Sequence, residues 1–310
     1  MTPTLSVADV VGDVVPNRPL SLKCENLQRS GAFKIRGAAN MILQLTAADR
    51  SRGVITFSSG NHGIAMSLAA RLIGIPAVVV MPTTAPAVKV DGARKLGAEI
   101  IFEGTTTIER KARTEAEAAA RGLTIVPPFD HPWIIAGQGT IGLEILEQAP
   151  ETTAVYVPTS GGGLLSGVAT AIKHLAPAVR IIGVEPAGSP RMTRSLAAGH
   201  PVTIGASSGI ADGLLAVRPG DITFSHIQTY VDEIVTVDDE SIVQAVRWIY
   251  DHARIVAEPS GAAAVAAVLF PAPASWSRDG ATSSQGSRGP AVAVISGGNV
   301  EAQAFGRYIT

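Results

Sequence analysis

The chain is nearly devoid of cysteine: among 310 residues only Cys24 carries a thiol, so no intramolecular disulfide can form, which suits a reducing compartment such as the cytoplasm. Aromatic side chains make up only 5% of the sequence, net charge is −1, and no basic run interrupts it. The electrostatic footprint needed for nucleic acid or an anionic membrane surface is therefore missing. Long apolar runs are missing too. Nothing approaches the roughly 20 uninterrupted apolar residues of a spanning helix, and residues 1–16 lack a cationic start followed by an apolar stretch. These absences leave a cytoplasmic protein with small, near-neutral ligands, no nucleic acid and no membrane. What is present is apolar bulk: 46% hydrophobic residues and a mean hydropathy of +0.27 suffice for a large core split into two lobes.

From Val54 onward strands and helices alternate. Val54–Phe57, Ala77–Met81, Glu99–Phe102 and Leu123–Val126 read as strands; Gly63–Ile73, Ala87–Leu96 and Ile108–Arg121 read as helices, closed by Gly74, Gly97 and Gly122. After a loop over Pro127–Trp133, a second series predicts helix Thr140–Gln148, strand Val155–Val157, helix Leu165–Leu175, strand Arg180–Val184 and helix Arg191–Ala198. Strand Glu233–Val237, helix Glu240–His252 opened by Asp238 or Asp239, helix Ser260–Leu269 and strand Ala291–Ile295 complete it. Leu20–Cys24 is strand-like, which assigns Cys24 to packing. Single helices between strands imply crossover connections, hence an α/β fold with parallel sheets flanked by helices. Pro271–Pro290, rich in Pro, Ser, Gly and Ala, reads as a surface loop.

Four loops carry the chemistry. In Ser30-Gly31-Ala32-Phe33-Lys34-Ile35-Arg36-Gly37 a lysine sits where a glycine turn gives way to a helix, and an amine held there can form a Schiff base with an aldehyde cofactor. Ser58-Ser59-Gly60-Asn61-His62-Gly63, Ser160-Gly161-Gly162-Gly163-Leu164 and Ser296-Gly297-Gly298-Asn299 each follow a strand-like run closely, so all can converge on one side of a sheet. The triglycine turn offers successive backbone N–H groups and a helix N-terminus to a phosphate. A Walker loop fails, since no Gly-Lys-Ser/Thr follows. A dinucleotide fingerprint survives longer: Gly161-x-Gly163 is present, Ser166 stands at the third glycine, and Glu185 ends the next strand. A nicotinamide oxidoreductase has no use for the Lys34 amine, whereas pyridoxal phosphate needs an amine, an anion nest and a group facing its ring nitrogen. Ser296 suits the last task. A neutral hydroxyl there leaves the ring a weaker electron sink, which favours expelling a β-leaving group. The histidines 131, 174, 200, 226 and 252 show no metal-ligand spacing.

The segment Lys23–Gly37 closely resembles the catalytic-lysine segment of the threonine/serine dehydratase and serine racemase family, the fold type II pyridoxal phosphate enzymes. Ser58–Gly63, Ala136–Thr140, Ser160–Gly167, Glu258–Gly261 and Ser296–Asn299 match in order. The resemblance implies pyridoxal 5'-phosphate as cofactor, Lys34 as its imine partner and base at the substrate Cα, and Phe33 packed beside it. Ser59 would be an acid/base group on the opposite ring face. Ser58, Ser59, Asn61 and His62 would bind the substrate, with Asn61 also touching the ring oxygen. Ser160, Gly161, Gly162, Gly163 and Leu164 would grip the phosphate, Gly213 would line the ring, and Ser296 would face its nitrogen; Glu258 lies near the ring in relatives. In metal-activated relatives a Glu, a backbone carbonyl and an Asp hold a divalent cation. Glu185 and Ser189 align, but Arg191 takes the third place, so no metal is expected.

The resemblance further implies a tryptophan synthase β-like two-domain fold and a homodimer. Residues 1–52 and 131–310 would form the larger cofactor domain, and 53–130 a smaller one carrying the Ser-Ser-Gly-Asn-His loop. The expected activity is a dehydratase or ammonia-lyase taking a threonine- or serine-type β-hydroxy amino acid to a 2-oxo acid and ammonia. A racemase of the same family, a nicotinamide oxidoreductase and a cofactor-binding protein without turnover are the alternatives. With no regulatory domain read after Thr310, feedback control is not expected.

Overall fold

The computed structural model describes residues 1–7, 19–58, 60–85, 87–271, 273–279 and 289–310. Strand β1 (Thr4–Ser6) pairs antiparallel with β2 (Leu20–Cys24); helices α1 (Lys34–Gln44) and α2 (Ala47–Arg52) follow. The next stretch alternates strictly: β3 (Val54–Phe57), α3 (Asn61–Ile73), β4 (Ala77–Met81), α4 (Ala87–Lys95), β5 (Glu99–Phe102), α5 (Thr107–Arg121) and β6 (Thr124–Ile125). The long α6 (Pro132–Gln148) leads to β7 (Ala154–Pro158), α7 (Gly163–Leu175), β8 (Arg180–Pro186), α8 (Arg191–Ala198), α9 (Asp221–Tyr230) and β9 (Glu233–Val237). Helices α10 (Asp239–Ala253) and α11 (Pro259–Leu269), strands β10 (Ala274–Ser277) and β11 (Ala291–Ile295), and α12 (Ala302–Ile309) complete it.

Two sheets result. The larger runs β1-β2-β11-β7-β8-β9-β10 and the smaller β5-β4-β3-β6. All pairings are parallel except the two edge pairs of the larger sheet. Parallel sheets need cover on both faces, so their strands are apolar on both sides. In β7, Ala154 and Tyr156 enter one core while Val155 and Val157 enter the other. In β4, Val79 and Met81 face one helix layer and Val78 and Val80 the opposite one. Cys24 is fully buried against the first core, and burial pushes its thiol up to about 12, so it is inert packing. Every residue of the alanine-rich α11 is buried, as its apolar run predicts. Helix α1 follows β2 in sequence, yet its Ile35, Ala38, Met41 and Ile42 pack with Ala65 and Met66 of α3 in the core of the smaller sheet.

Apart from β1 and β10, the strands and most helices fall where the sequence places them, and Asp238 caps α10 by accepting from Ser241 N at 2.8 Å. The largest difference is α6. The sequence predicts a loop to Trp133 and a helix from Thr140, but the helix starts at Pro132, capped by His131 Nδ1, which accepts from Trp133 N at 3.1 Å. Glycines 137, 139 and 142 lower its intrinsic propensity. They are tolerated because α1 and α7 cross α6 there at backbone contact. A Cβ on Gly137 would lie 2.5 Å from Arg36 O, and one on Gly167 would lie 2.4 Å from Ile135 O. The predicted surface loop 271–290 contains edge strand β10, and helices α9 and α12 were not expected from the sequence; α9 is weakly periodic, whereas α12 is amphipathic but only eight residues long. A buried cluster anchors α1 from behind. Arg36 forks onto Glu25 and Glu144, and Lys23 Nζ reaches Glu144 Oε2 at 2.6 Å and Thr2 O at 2.7 Å.

Candidate active site

Four loops leave the C-terminal ends of β2, β3, β7 and β11, the edge at which open α/β sheets bind ligands. Lys34 opens α1 as its first residue, half-buried. Its Nζ donates to Pro128 O at 2.6 Å, and burial lowers its pKa from 10.5 to about 8. A carbonyl acceptor favours the ammonium form, so the loss of hydration outweighs it. Phe33 precedes it, with the amine 5.0 Å from the ring centroid. Phe33 N donates to Ser296 O at 3.0 Å, and Ala32 forms a β-bridge with Gly297. The β2 and β11 loops are thereby stitched together.

The turn after β7 is an anion nest in physical terms. Gly162 adopts φ +102°, a left-handed conformation that strains any residue with a Cβ. Added Cβ atoms at Gly161 and Gly163 would meet Phe129 at 2.4 and 2.9 Å. Among the described residues, the first amide of this turn to find a backbone acceptor is Ser166 N, on Gly162 O at 2.8 Å. The N–H groups of Gly161 to Leu164 are free to hold an anion, with the positive end of α7 behind them. Ser160 Oγ accepts from Ala216 N at 3.3 Å. Phe129 and Asp130 brace the cradle: Asp130 caps α9 through the amides of Asp221, Ile222 and Thr223, and Thr223 Oγ1 donates to Gly161 O at 2.6 Å.

Opposite, α3 presents its N-terminus. Ser58 Oγ accepts from Gly60 N at 3.2 Å; Ser59 lies outside the described residues. Asn61 has its amide orientation dictated by its neighbours. Asn299 Nδ2 donates to Ser30 O at 2.8 Å and to Asn61 Oδ1 at 2.9 Å, which leaves Asn61 Nδ2 to donate to Glu258 Oε1 at 2.6 Å. Glu258 is buried beneath Gly297, and its carboxyl is raised to about 8, chiefly by burial and then by Asp212. His62 behaves differently from the sequence expectation. Its ring is buried, Nε2 donates to Val126 O at 2.9 Å, and burial drops its pKa to about 3. The imidazole is neutral and turned to the strand, so toward a carboxylate it offers only its backbone N–H. Gly213 N donates to Ser260 Oγ at 2.9 Å, and buried Ser296 Oγ donates to Ser260 O at 3.4 Å, a long bond that its hydroxyl can exchange for a ring nitrogen.

The sequence missed Pro128 as the acceptor for the amine, Asp130 as the brace of the cradle, and the Asn299–Asn61–Glu258 chain. Each joins residues far apart in sequence, and only the Glu-Pro-Ser-Gly and Ser-Gly-Gly-Asn stretches gave a local hint.

A desolvated amine, a bare-amide anion nest and a hydroxyl one β-bridge away are the groups that a phosphorylated aldehyde held as an imine would need. A family model described as pyridoxal-phosphate dependent enzyme matches residues 2–295, and the chain belongs to that family. It is 42% identical to the L-threonine ammonia-lyase of Thermotoga maritima over 98% of this chain and 73% of that protein. It is 41% identical to the serine racemase of Oryza sativa subsp. indica over 97% of this chain and 86% of that one. Among solved structures, maize serine racemase superposes with a TM-score of 0.92 at 39% identity, covering 99% of this chain and 90% of the other. The protein is thus a pyridoxal-phosphate-dependent α/β enzyme of a family acting on small amino acids. Among the described residues no helix is long and apolar enough to cross a membrane.

Proposed function

We propose that the chain is a dehydratase, or ammonia-lyase, that converts a threonine- or serine-type β-hydroxy amino acid to a 2-oxo acid and ammonia. When bound, the cofactor supplies an electron sink for negative charge developing at the substrate Cα. The remaining work falls to the chain itself. Lys34, poised near pH 8, takes the Cα proton, and a base with a pKa close to the working pH is the efficient kind. The amides at the start of α3, with Ser58, orient the substrate carboxylate. The Asn61 amide, held by Asn299 and Glu258, would offer its second N–H to the ring oxygen. Ser160 to Leu164 would hold the phosphate, Phe33 and Gly213 would line the ring, and Ser296 would serve the ring nitrogen.

The observation that carries this reading is the neutral Ser296 hydroxyl, buried with no carboxylate among its hydrogen-bond partners. A hydroxyl partner does not enforce a charged pyridinium. Prolonged carbanion chemistry such as transamination is then disfavoured, and departure of a β-hydroxyl is favoured. The similarity to a threonine ammonia-lyase supports it. A racemase reading is supported by the serine racemase relatives and would use Ser59 as acid/base group on the second face. Purified enzyme given L-threonine, L-serine and their D-enantiomers, assayed for 2-oxo acid and by chiral chromatography, decides between them. Elimination predicts Lys34-dependent 2-oxo acid from the L-substrates, with Ser59→Ala abolishing any inversion while sparing it. Product that keeps its amino group throughout would overturn the assignment.

A further inference from the structure

Among the described residues the largest side chain wholly shut from solvent is Arg191, at the first turn of α8, and no step above uses it. Its guanidinium runs beneath the cofactor loops. Nη1 donates to Thr159 O at 3.2 Å, the residue directly before the Ser160–Leu164 cradle. Nη2 donates to Ser189 Oγ at 2.9 Å and to Leu214 O, one residue past Gly213. The countercharge is Glu185, equally enclosed, with Oε2 3.7 Å from Nη1. That carboxylate is otherwise occupied in capping α8, accepting from Met192 N and Thr193 N, both at 2.9 Å, and from Thr193 Oγ1 at 2.6 Å. Burial lowers the guanidinium to about 10, so it stays charged at neutral pH.

Enclosing a guanidinium is a poor route to stability. The desolvation penalty of a buried ion often exceeds its Coulombic gain, and an apolar side chain of similar size commonly does as well. Here Nε has no partner and the carboxylate stands beyond hydrogen-bond reach. What the side chain accomplishes is geometric: one planar, rigid group grips two backbone carbonyls, Thr159 O and Leu214 O, from segments 55 residues apart. We infer that Arg191 is a positioning residue for the cofactor, setting the separation between the phosphate cradle and the segment 212–214 that carries Gly213. This rests on the cradle assignment above. A lysine keeps the charge but, as a point donor on a flexible stem, cannot span both carbonyls.

The test compares wild type with Arg191→Lys and Arg191→Ala as holoenzymes. The readouts are loss of the visible cofactor band on dilution into cofactor-free buffer, and reconstitution of stripped protein with pyridoxal phosphate or unphosphorylated pyridoxal. Wild type must prefer the phosphorylated form; if it does not, the cradle assignment fails, whatever the variants do. Given that preference, R191K should lose its cofactor at least tenfold faster and its preference for the phosphate should shrink. Millimolar guanidinium should restore retention to R191A. The gap in melting temperature between holoenzyme and stripped protein should narrow in R191K. R191K that holds cofactor within twofold of wild type overturns the inference. So does R191K whose two melting temperatures fall equally, or that does not fold, since the residue then serves the core alone.

Discussion

Titration of Lys34 is the sharpest consequence of where its amine sits. At pH 7 a lysine at its ordinary value of 10.5 is neutral in about 0.03% of molecules, whereas one at about 8 is neutral in about 10%. Burial therefore raises the reactive fraction on the order of 300-fold. Competitive acylation of the cofactor-free protein across pH 6–10, read by peptide mass spectrometry, measures this directly, with a short lysine peptide added as reference. Labelling of Lys34 should rise about tenfold per pH unit up to pH 8 and then level off, whereas an amine at the ordinary value keeps rising toward pH 10. The same shift has a stability signature. Between about 8 and 10.5 the unfolded chain binds more protons than the folded one, so stability of the stripped protein climbs with pH over that window, and below it the full cost of about 3 kcal/mol is present. A Lys34 profile that runs parallel to that of the reference peptide would refute the argument from burial.

Glu258 titrates in the opposite sense. A carboxyl raised to about 8 binds its proton more tightly in the folded chain, so stability should fall as pH rises from the unfolded carboxylate value near 4.5 through 8. Glu258→Gln, which mimics the neutral form and still accepts from Asn61, should flatten that fall in denaturant melts; an unchanged slope would show that Glu258 is not its source. Behind the site, Glu144→Ala removes the carboxylate from fully buried Lys23 and should cost about 3–5 kcal/mol in chemical denaturation, as for other broken buried pairs. Glu144→Gln should recover part of it by accepting from the same donors, and a loss below about 1 kcal/mol would mean that Thr2 O and Gln148 satisfy Lys23 unaided.

Much of the architecture was legible because its signals are local. The strands of both sheets are short apolar runs bounded by glycine or polar turns, and α3, α5 and α10 carry their own caps. Helix α6 was misread at its start because its glycines serve α1 and α7, and a residue selected for its neighbour looks like a breaker when read alone. The site divides the same way. Lys34 and the triglycine turn announce themselves within a few residues, since a helix N-terminus and a nest are built from consecutive backbone. The orientation of the Asn61 amide, the Asp130 brace and the two-carbonyl grip of Arg191 join segments distant in sequence, and no window of the chain contains them. His62 shows the converse: its position in the loop is as expected, but the direction of its ring is set by the carbonyl of Val126, the residue after β6.

The order of the larger sheet bears on how the enzyme is made. Among the described residues, β2 pairs only with β1 and with β11, and β11 sits between β2 and β7. During synthesis, then, the first hairpin has no berth in that sheet until a strand made far later slots in beside it. Contacts so remote in the chain form slowly, and the segment bearing Lys34 is among those left waiting. Cofactor capture at Lys34 would accordingly wait for β11, and a ribosome-bound chain stalled before Ala291 would be colourless.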